Sequence, residues 1–555
     1  MSRKVIIVIG LCALLVYSFV FGFSYGVVKA SVTMPVRDVN TGLEYASIQD
    51  AIDAPETFDG HTILVDAGTY DTNLVVDKSL TIIGSGSNTT VINGVAGGEG
   101  SIVDVVASNV LIEGFAINGS QDTILGVYFD HSDNSVLLDS NVSNVSYYQG
   151  YAVYGAYSND LTVDDNVVGP NSCSGILITN SMGFNVSNNQ VYDNGVRSQG
   201  YGINANASSY GLISGNDVYG NSYDGIGLGS GSENVNITRN NIRDNKDYGV
   251  NVIDTDCVNN LIYDNNITNN GIQAYVSNVS ANSWDNGVEG NYWSDYQTNY
   301  PSASEIDDSG IWNTAYVLSA DDADNYPLMG PISVFDAALG FDVDVVSNSS
   351  IASFAYFLWN GTVAMQVKTT AGAQIYGFCR VRLPHGLMTE PYSVTVDGAE
   401  PLYLNTTVFD DGVSRWIYFL YSTGVHEVVI RGPSPPATVS IISPENKTYT
   451  VSDVPLAFAI NEETSLAYSL DGRANVTIIG NVTLSGVSNG THTLVLYARN
   501  SFGNTSASGV VYFTVSVAGS GLFPFLVAAA VAVVVVLALV LVYFRKLRRK
   551  RGKKG

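Results

Sequence analysis

Basic residues are scarce in this chain. Lys and Arg total 25 against 51 Asp and Glu, the formal charge is −26 at pH 7, and there are 5 His. Eight of the basic residues lie in the run from Arg545 to Lys554 and three precede Ser31. The stretch between keeps 14 against all 51 acids, a charge of −37. Such a field repels phosphate backbones and excludes nucleic acid as a partner. It suits a solvated outer surface. Cysteine is equally sparse. Cys12, Cys173, Cys257 and Cys379 are widely spaced and form no CxxC pair. A disulfide framework and a thiolate zinc site are thereby excluded.

What is present begins with the two ends. Met1-Ser2-Arg3-Lys4 precedes an apolar run from Val5 to about Phe23, and Val28-Lys29-Ala30 supplies small residues. This pattern predicts a secretory signal over residues 1–30, with an uncleaved anchor as the alternative. Leu522 to Phe544 holds no charged residue. At about 1.5 Å per residue it reaches roughly 34 Å, enough for a bilayer core of about 30 Å. The basic run 545–555 follows at once and marks the cytoplasmic side of a single span.

Between the ends lies a repeat. Residues 110–275 return to apolar-x-x-Asn-x-apolar: Val163 to Val168, Val186 to Val191, Ile213 to Val218, Ile237 to Ile242 and Ile262 to Ile267. The central residues are Asn166, Asn189, Asn216, Asn240 and Asn265. Asn141 stands in an earlier, weaker copy and Phe115 in the first. The steps are 26, 25, 23, 27, 24 and 25 residues. A second column, Asn171, Asn194, Asn221, Asn245 and Asn270, keeps the same register, and Gly-apolar pairs such as Gly175-Ile176 and Gly225-Ile226 form a third. Gly, Asn and β-branched residues form strands and turns rather than helices. A step near 25 residues predicts coils of three short strands, stacked about 4.8 Å apart as a parallel β-helix. Asn tolerates a left-handed turn, and stacked Asn side chains can satisfy buried turn amides. The columns therefore read as scaffold. Ser47 to Ile52 predicts a capping helix, and the aromatic segment Gly290 to Tyr296 a plug at the far end.

The pattern then changes. Alternating segments such as Ser353–Leu358, Val363–Val367 and Trp416–Leu420 predict a β-sandwich over 331–433. Gly432-Pro433-Ser434-Pro435-Pro436 reads as a stiff linker. Short strands in 434–517 predict an immunoglobulin-like sandwich without a disulfide, acting as a stalk.

Several of these motifs resemble the right-handed β-helix proteins of the NosD and pectin-lyase-like group, above all archaeal-type membrane-anchored surface forms. The carrying residues are Ser47 to Ile52, Gly68-Thr69-Tyr70, Lys78 to Gly84, the Asn and Gly-apolar ladders, Gly290 to Tyr296 and Asp324 to Met329. They cover roughly residues 36–330. Ile442 to Tyr449 and Tyr468 to Gly472 look like the Ig-like modules of such proteins. The resemblance implies an all-β chain with a right-handed parallel β-helix over 31–330, two sandwich modules and one C-terminal transmembrane helix over 522–544. The group includes sugar-binding, sugar-cleaving and copper-maturation members, so the fold alone does not choose.

Residue chemistry narrows the choice. Copper needs soft or imidazole ligands. The repeat region offers His61, His131, Met182, Cys173 and Cys257, with no close pair, which disfavours copper. A lyase or hydrolase needs clustered carboxylates. Asp164 and Asp165 are the candidates, although solvated turn acids explain them more simply and no Gly-His-Gly of pectinolytic relatives occurs. Aromatic faces pack on sugar rings, which points to Tyr192, Tyr219 and Tyr154 as ligand-binding residues; Tyr192 and Tyr219 should stack. Asp321, Asp322 and Asp324, or Asp307 and Asp308, could take Ca²⁺. Seventeen Asn-x-Ser/Thr sites run from Asn88 to Asn504, and a subset is expected to carry glycan. The reading is a surface envelope protein or adhesin that binds extracellular glycans or envelope proteins. The alternative is a surface polysaccharide lyase or hydrolase.

Overall fold

The computed structural model describes residues 34–551, apart from 96–99, 121–122, 148, 196–199, 278–280, 370–374, 434–437, 461–464, 500–504 and 518–522. The expected signal, most of the Pro linker, Tyr148 and the sequons at Asn278 and Asn504 lie outside these residues.

Residues 34–306 and 311–332 belong to one compact unit. Its strands line up in three sheets of eleven, ten and nine members. Each regular coil gives one strand to each sheet, as in Thr162–Asp164, Val167–Val168 and Ser174–Thr179. The pairing between coils is parallel and in register: Val163 over Val186 over Ile213 over Ile237 over Ile262. These residues point inward and belong to one buried cluster that runs from Val36 to Tyr316. A parallel β-helix is what the repeat predicted.

The corners explain the Asn columns. Asn189 Oδ1 accepts from the Asn166 backbone N–H at 3.0 Å and from Asn166 Nδ2 at 3.1 Å. Its own Nδ2 donates to Val163 O at 2.8 Å and to Asn216 Oδ1 at 3.0 Å. Every donor and acceptor of the amide is used, so a fully buried polar side chain carries no desolvation debt. The chain of amides continues through Asn240 and Asn265 to Asn291. The second column repeats it from Asn171 to Asn270. A third corner, which the sequence reading missed, uses serines. Backbone N–H groups of Ser132, Ser158, Ser181 and Ser208 donate to the hydroxyls of Ser158, Ser181, Ser208 and Ser232.

Two expectations need correction. Asn141 is not a ladder residue. The ladder position in its coil is Ser140, which donates its backbone N–H to Asn166 Oδ1 at 2.9 Å, while Asn141 sits in the next strand opposite Val167. The ladder Asn residues are also not the left-handed ones. The residue before each is: Asp165, Asn188, Gly215, Arg239 and Asp264 all have positive φ. Each corner thus needs two residues, one that turns the backbone and one that bonds to the neighbouring coil.

Both ends of the stack are closed. Helix Ile48–Asp53 covers the first coils, capped by Ser47 Oγ, which accepts from Asp50 N–H at 3.0 Å. Ile48, Ala51 and Ile52 enter the core. At the other end Trp293 stacks on Tyr316 at 4.1 Å and Tyr296 on Trp312 at 5.1 Å, as the aromatic segment predicted.

The second unit contains two further groups of sheets. A five-stranded and a four-stranded sheet share one core, with Val345, Val381 and Phe419 from one and Val363, Val394 and Ile430 from the other. A three-stranded and a six-stranded sheet share a second core built around Leu456, Leu494, Leu496 and Phe513. His492 lies at its margin with Nδ1 2.8 Å from Asp471 Oδ2 and Nε2 2.8 Å from Ser488 O. Both neighbours are acceptors, so both ring nitrogens must carry hydrogen. Burial opposes the charge, but Asp471 and the carbonyl outweigh it, and the His492 pKa is raised from 6.5. Residues Phe523–Arg551 form one helix. Its described side chains run from residue 530 to 546, roughly 25 Å at about 1.5 Å per residue. Among the described residues no helix is long and apolar enough to cross a membrane.

Two outcomes are expected. Asn216→Ala strands the Asn189 amide and Val186 O, and should cost about 3 kcal/mol in denaturant unfolding. The exposed Asn236→Ala in unglycosylated protein should change stability by less than about 0.5 kcal/mol. Equal losses would show that the ladder is not what holds the coils. For His492, a raised pKa gives stability that is whole below about pH 6.5 and fades as pH rises through the folded value. The melting temperature of the 438–517 module should fall over that window, and His492→Gln should flatten the profile.

Candidate functional site

The residues singled out from sequence do not converge. Asp164 ends a strand of the first sheet and accepts from Ser187 Oγ at 2.7 Å and Asn188 Nδ2 at 3.0 Å. Asp165 is the left-handed corner residue of that coil, φ 55°. Their roles in the coil account for both. Tyr192 and Tyr219 stack on the second sheet as expected, at 5.3 Å with planes 10° apart. The Arg243 guanidinium lies 3.9 Å above the far face of that pair, over Tyr219, and binds Asp217 at 2.9 Å. Both faces of Tyr219 and one face of Tyr192 are thus used within the column. Tyr154 lies on the third sheet, away from these two.

The expected Ca²⁺ cluster does not form. Asp324 is fully buried and accepts from the Asn291 N–H at 2.7 Å, Trp293 Nε1 at 2.8 Å and the Tyr326 N–H at 3.0 Å. It locks the aromatic plug, and burial pushes its pKa up to about 7. Asp322 instead accepts from Ser319 Oγ at 2.9 Å. Among the described residues no three His, Cys, Asp or Glu side chains group to hold a metal ion.

The third sheet carries the feature that sequence reasoning overlooked. Its strands are the longest of the regular coils and place one outward column in register: Val75, Asp104, Tyr128, Tyr154, Leu177, Asn204, Gly227, Asn251 and Tyr275. No basic residue lies in it. At one end Tyr128 stacks on Tyr154 at 5.0 Å, and Tyr151 meets Tyr154 at 5.3 Å. Burial and the charge of Asp130 push the Tyr128 phenol up to about 12, and burial with the same carboxylate raises Asp104. Toward the other end Gly227 has no side chain, and Asn204 leans into the room it leaves. A Cβ on Gly227 would lie 3.1 Å from Asn204 Oδ1.

Asp224 sits beside this column, fully buried. Its carboxyl accepts from Asn251 Nδ2 at 2.7 Å and from the Tyr248 N–H at 3.1 Å. Burial dominates, those two donors offset part of it, and the pKa stands at about 6. Tyr201 is pushed up to about 12 by burial and by Asp224. Asn204 and Asn251 are each 6% exposed, and the Oδ1 of each has no hydrogen-bond partner. The half-buried phenol rings of Tyr128, Tyr151 and Tyr154 are the groups here that can pack on polyhydroxylated ligands, with the buried amides and Asp224 beneath the surface farther along. Sequence could not single out Asp224, because coil steps of 23 to 27 residues hide which residue of each coil faces outward here.

Three stacked sheets, in-register coils and two closed ends define a parallel β-helix protein. Residues 61–298 match the family model described as periplasmic copper-binding protein (NosD). A cell surface glycoprotein of Methanothermus fervidus is 31% identical over 313 residues, covering 50% of this chain and 51% of that protein. Halomucin of Haloquadratum walsbyi is 36% identical over 101 residues, covering 17% of this chain and 1% of that protein. The chain thus spans about half the length of the first curated relative and a small part of the second. The A-module of the Azotobacter vinelandii mannuronan C-5 epimerase AlgE4 aligns with a TM-score of 0.34 at 21% identity, over 46% of this chain and 78% of that one.

Copper does not fit the residues present. Burial pushes the Cys173 thiol up to about 12, far from the thiolate a copper ion takes. His61 Nδ1 is held by Asp38 at 2.8 Å and His131 Nδ1 by Asp130 at 2.7 Å, on different coils.

Asp224 gives a pH test. The folded carboxyl keeps its proton to about pH 6, whereas the unfolded one loses it near pH 4. Ionisation therefore opposes folding, and stability falls as pH rises from about 4 through 6. Asp224→Asn should match the wild-type melting temperature at pH 3.5 and exceed it by a few degrees at pH 8. A constant offset at both pH values would remove the titration.

Proposed function

We propose that this chain is a cell-surface envelope protein or adhesin, and that its β-helix offers the third-sheet face to extracellular glycans or neighbouring envelope proteins. The carrying observation is the cluster of half-buried tyrosines, Tyr128, Tyr151 and Tyr154, in register on that sheet. The M. fervidus cell surface glycoprotein and halomucin support an extracellular setting through their names. The sequence supports a signal over 1–30, a single span over 522–544 and a cytoplasmic tail over 545–555. On this reading the module 331–433 and an Ig-like module 434–517 form a stalk, and a subset of the sequons carries glycan.

A second reading rests on Asp224. A carboxyl with a pKa near 6, beside Tyr201, can exchange protons near neutral pH. That is the chemistry a surface polysaccharide lyase or hydrolase needs.

One screen separates the two. The ectodomain 31–517 is presented with a panel of polysaccharides, and both retention and newly released chain ends are measured. Retention without new ends, lost at least tenfold in Tyr154→Ala and Tyr128→Ala but kept in Tyr192→Ala, is expected. New ends that vanish in Asp224→Asn would favour the enzyme. No retention by any glycan would refute the glycan side of the proposal.

A further inference from the structure

A separate constellation stands in the second unit, where the turn after strand Ser414–Ser422 carries the chain from the five-stranded to the four-stranded sheet. Asp397 follows strand Ser393–Val396, while Ser422 ends strand Ser414–Ser422 and His426 lies in the returning strand Val425–Arg431. Asp397 Oδ1 accepts from the Glu427 N–H at 2.9 Å, and its Oδ2 lies 2.7 Å from His426 Nδ1. The hydrogen bond with His426, then that from Glu427, holds the Asp397 pKa below 3.8. An ionised carboxylate there fixes the imidazole tautomer: Nδ1 carries the hydrogen and Nε2 is left as an acceptor. His426 Nε2 lies 3.3 Å from Ser422 Oγ.

The turn between these strands keeps that nitrogen open. Gly424 has φ +147°, and a Cβ built on it would lie 3.0 Å from His426 Nε2. Any other residue would crowd the base. Ser422 is exposed, so a reagent can reach its hydroxyl. Serine, imidazole and carboxylate thus stand in the order and through the atoms that activate a serine, an arrangement recognised by geometry and not by position in a chain.

We propose that Ser422 is an activated nucleophile that accepts acyl groups from small, solvent-borne carboxylic esters, with His426 as its base and Asp397 as the positioning residue. The Ser422 Oγ proton passes to His426 Nε2 as Oγ bonds to the carbonyl carbon. The tetrahedral adduct then collapses, the carbon–alkoxide bond breaks, and the alkoxide leaves with the proton from Nε2. Water, activated by the same nitrogen, releases the acid and restores the serine. No oxidant or cofactor enters. The Gly424 N–H, a backbone donor in the turn, already donates to Thr369 Oγ1 at 2.7 Å. One missing oxyanion donor lowers turnover by roughly 10²–10³, so the reaction should be slow and its acyl form long-lived.

The test uses the full chain. It is treated with a fluorophosphonate and, separately, with p-nitrophenyl acetate, and the modified peptide is identified by mass spectrometry. Phosphonylation and acetylation at Ser422 are expected, absent in Ser422→Ala. Both should be slowed at least tenfold in Asp397→Asn and His426→Gln, with melting temperatures unchanged. Asp397 is exposed, so its variant keeps the test sound if the His426 variant is less stable. No adduct on Ser422 of folded protein, or an Asp397→Asn rate equal to wild type, would overturn the proposal and leave the contacts as a lock on the turn between the two sheets.

Discussion

Each corner of the β-helix is a place where the backbone turns inside the molecule and could leave amides unsatisfied. The coil-to-coil bonds of Asn166 through Asn291, Asn171 through Asn270 and Ser158 through Ser232 remove that cost. An unpaired buried amide costs roughly 1–3 kcal/mol, so three open corners per coil would cancel much of what the apolar interior contributes. The strands between corners are mostly two to six residues long and could not stack by themselves. Everything outward-facing, including the third-sheet column, keeps its register because the corners do.

The same requirement separates the acids into kinds. Asp165, Asp193, Asp244 and Asp264 are left-handed corner residues. They are frequent because short polar side chains tolerate that conformation, and chemistry need not be invoked for them. Asp224 and Asp324 differ: neither turns a left-handed corner, both hold specific donors, and burial raises both pKa values. One borders the candidate ligand face and the other secures the aromatic plug. Abundance of acid in the sequence is thus a poor guide to where acid does something.

Much of the architecture was legible because it is periodic. The Asn columns, the capping helix at Ile48, the plug at Trp293 and the alternating strands of the later modules each follow from local patterns. The misreading of Asn141 for Ser140 came from following residue type where the register moves by one and serine substitutes for asparagine. The serine corner was invisible for a related reason: serine is common everywhere, and its column emerges only once coils of unequal length are aligned. The candidate face was hidden more deeply. Asn204, Gly227 and Asn251 share no residue type, and Asp224 lies outside the repeat positions. Ser422 and His426 are four residues apart, but Asp397 joins them only through strand pairing.

The ladder bonds have one more consequence. Each coil offers its neighbour the same set of donors and receives the same set of acceptors. A whole coil could therefore be removed or duplicated and the two new faces would still match. Differences in step length, 23 to 27 residues, are absorbed in the loops between strands. Length in such a molecule is a free parameter, adjustable in units of about 4.8 Å, much as a crystal grows by one lattice translation without redesigning the cell. Only the helix at Ile48 and the plug at Trp293 fix where the growth stops.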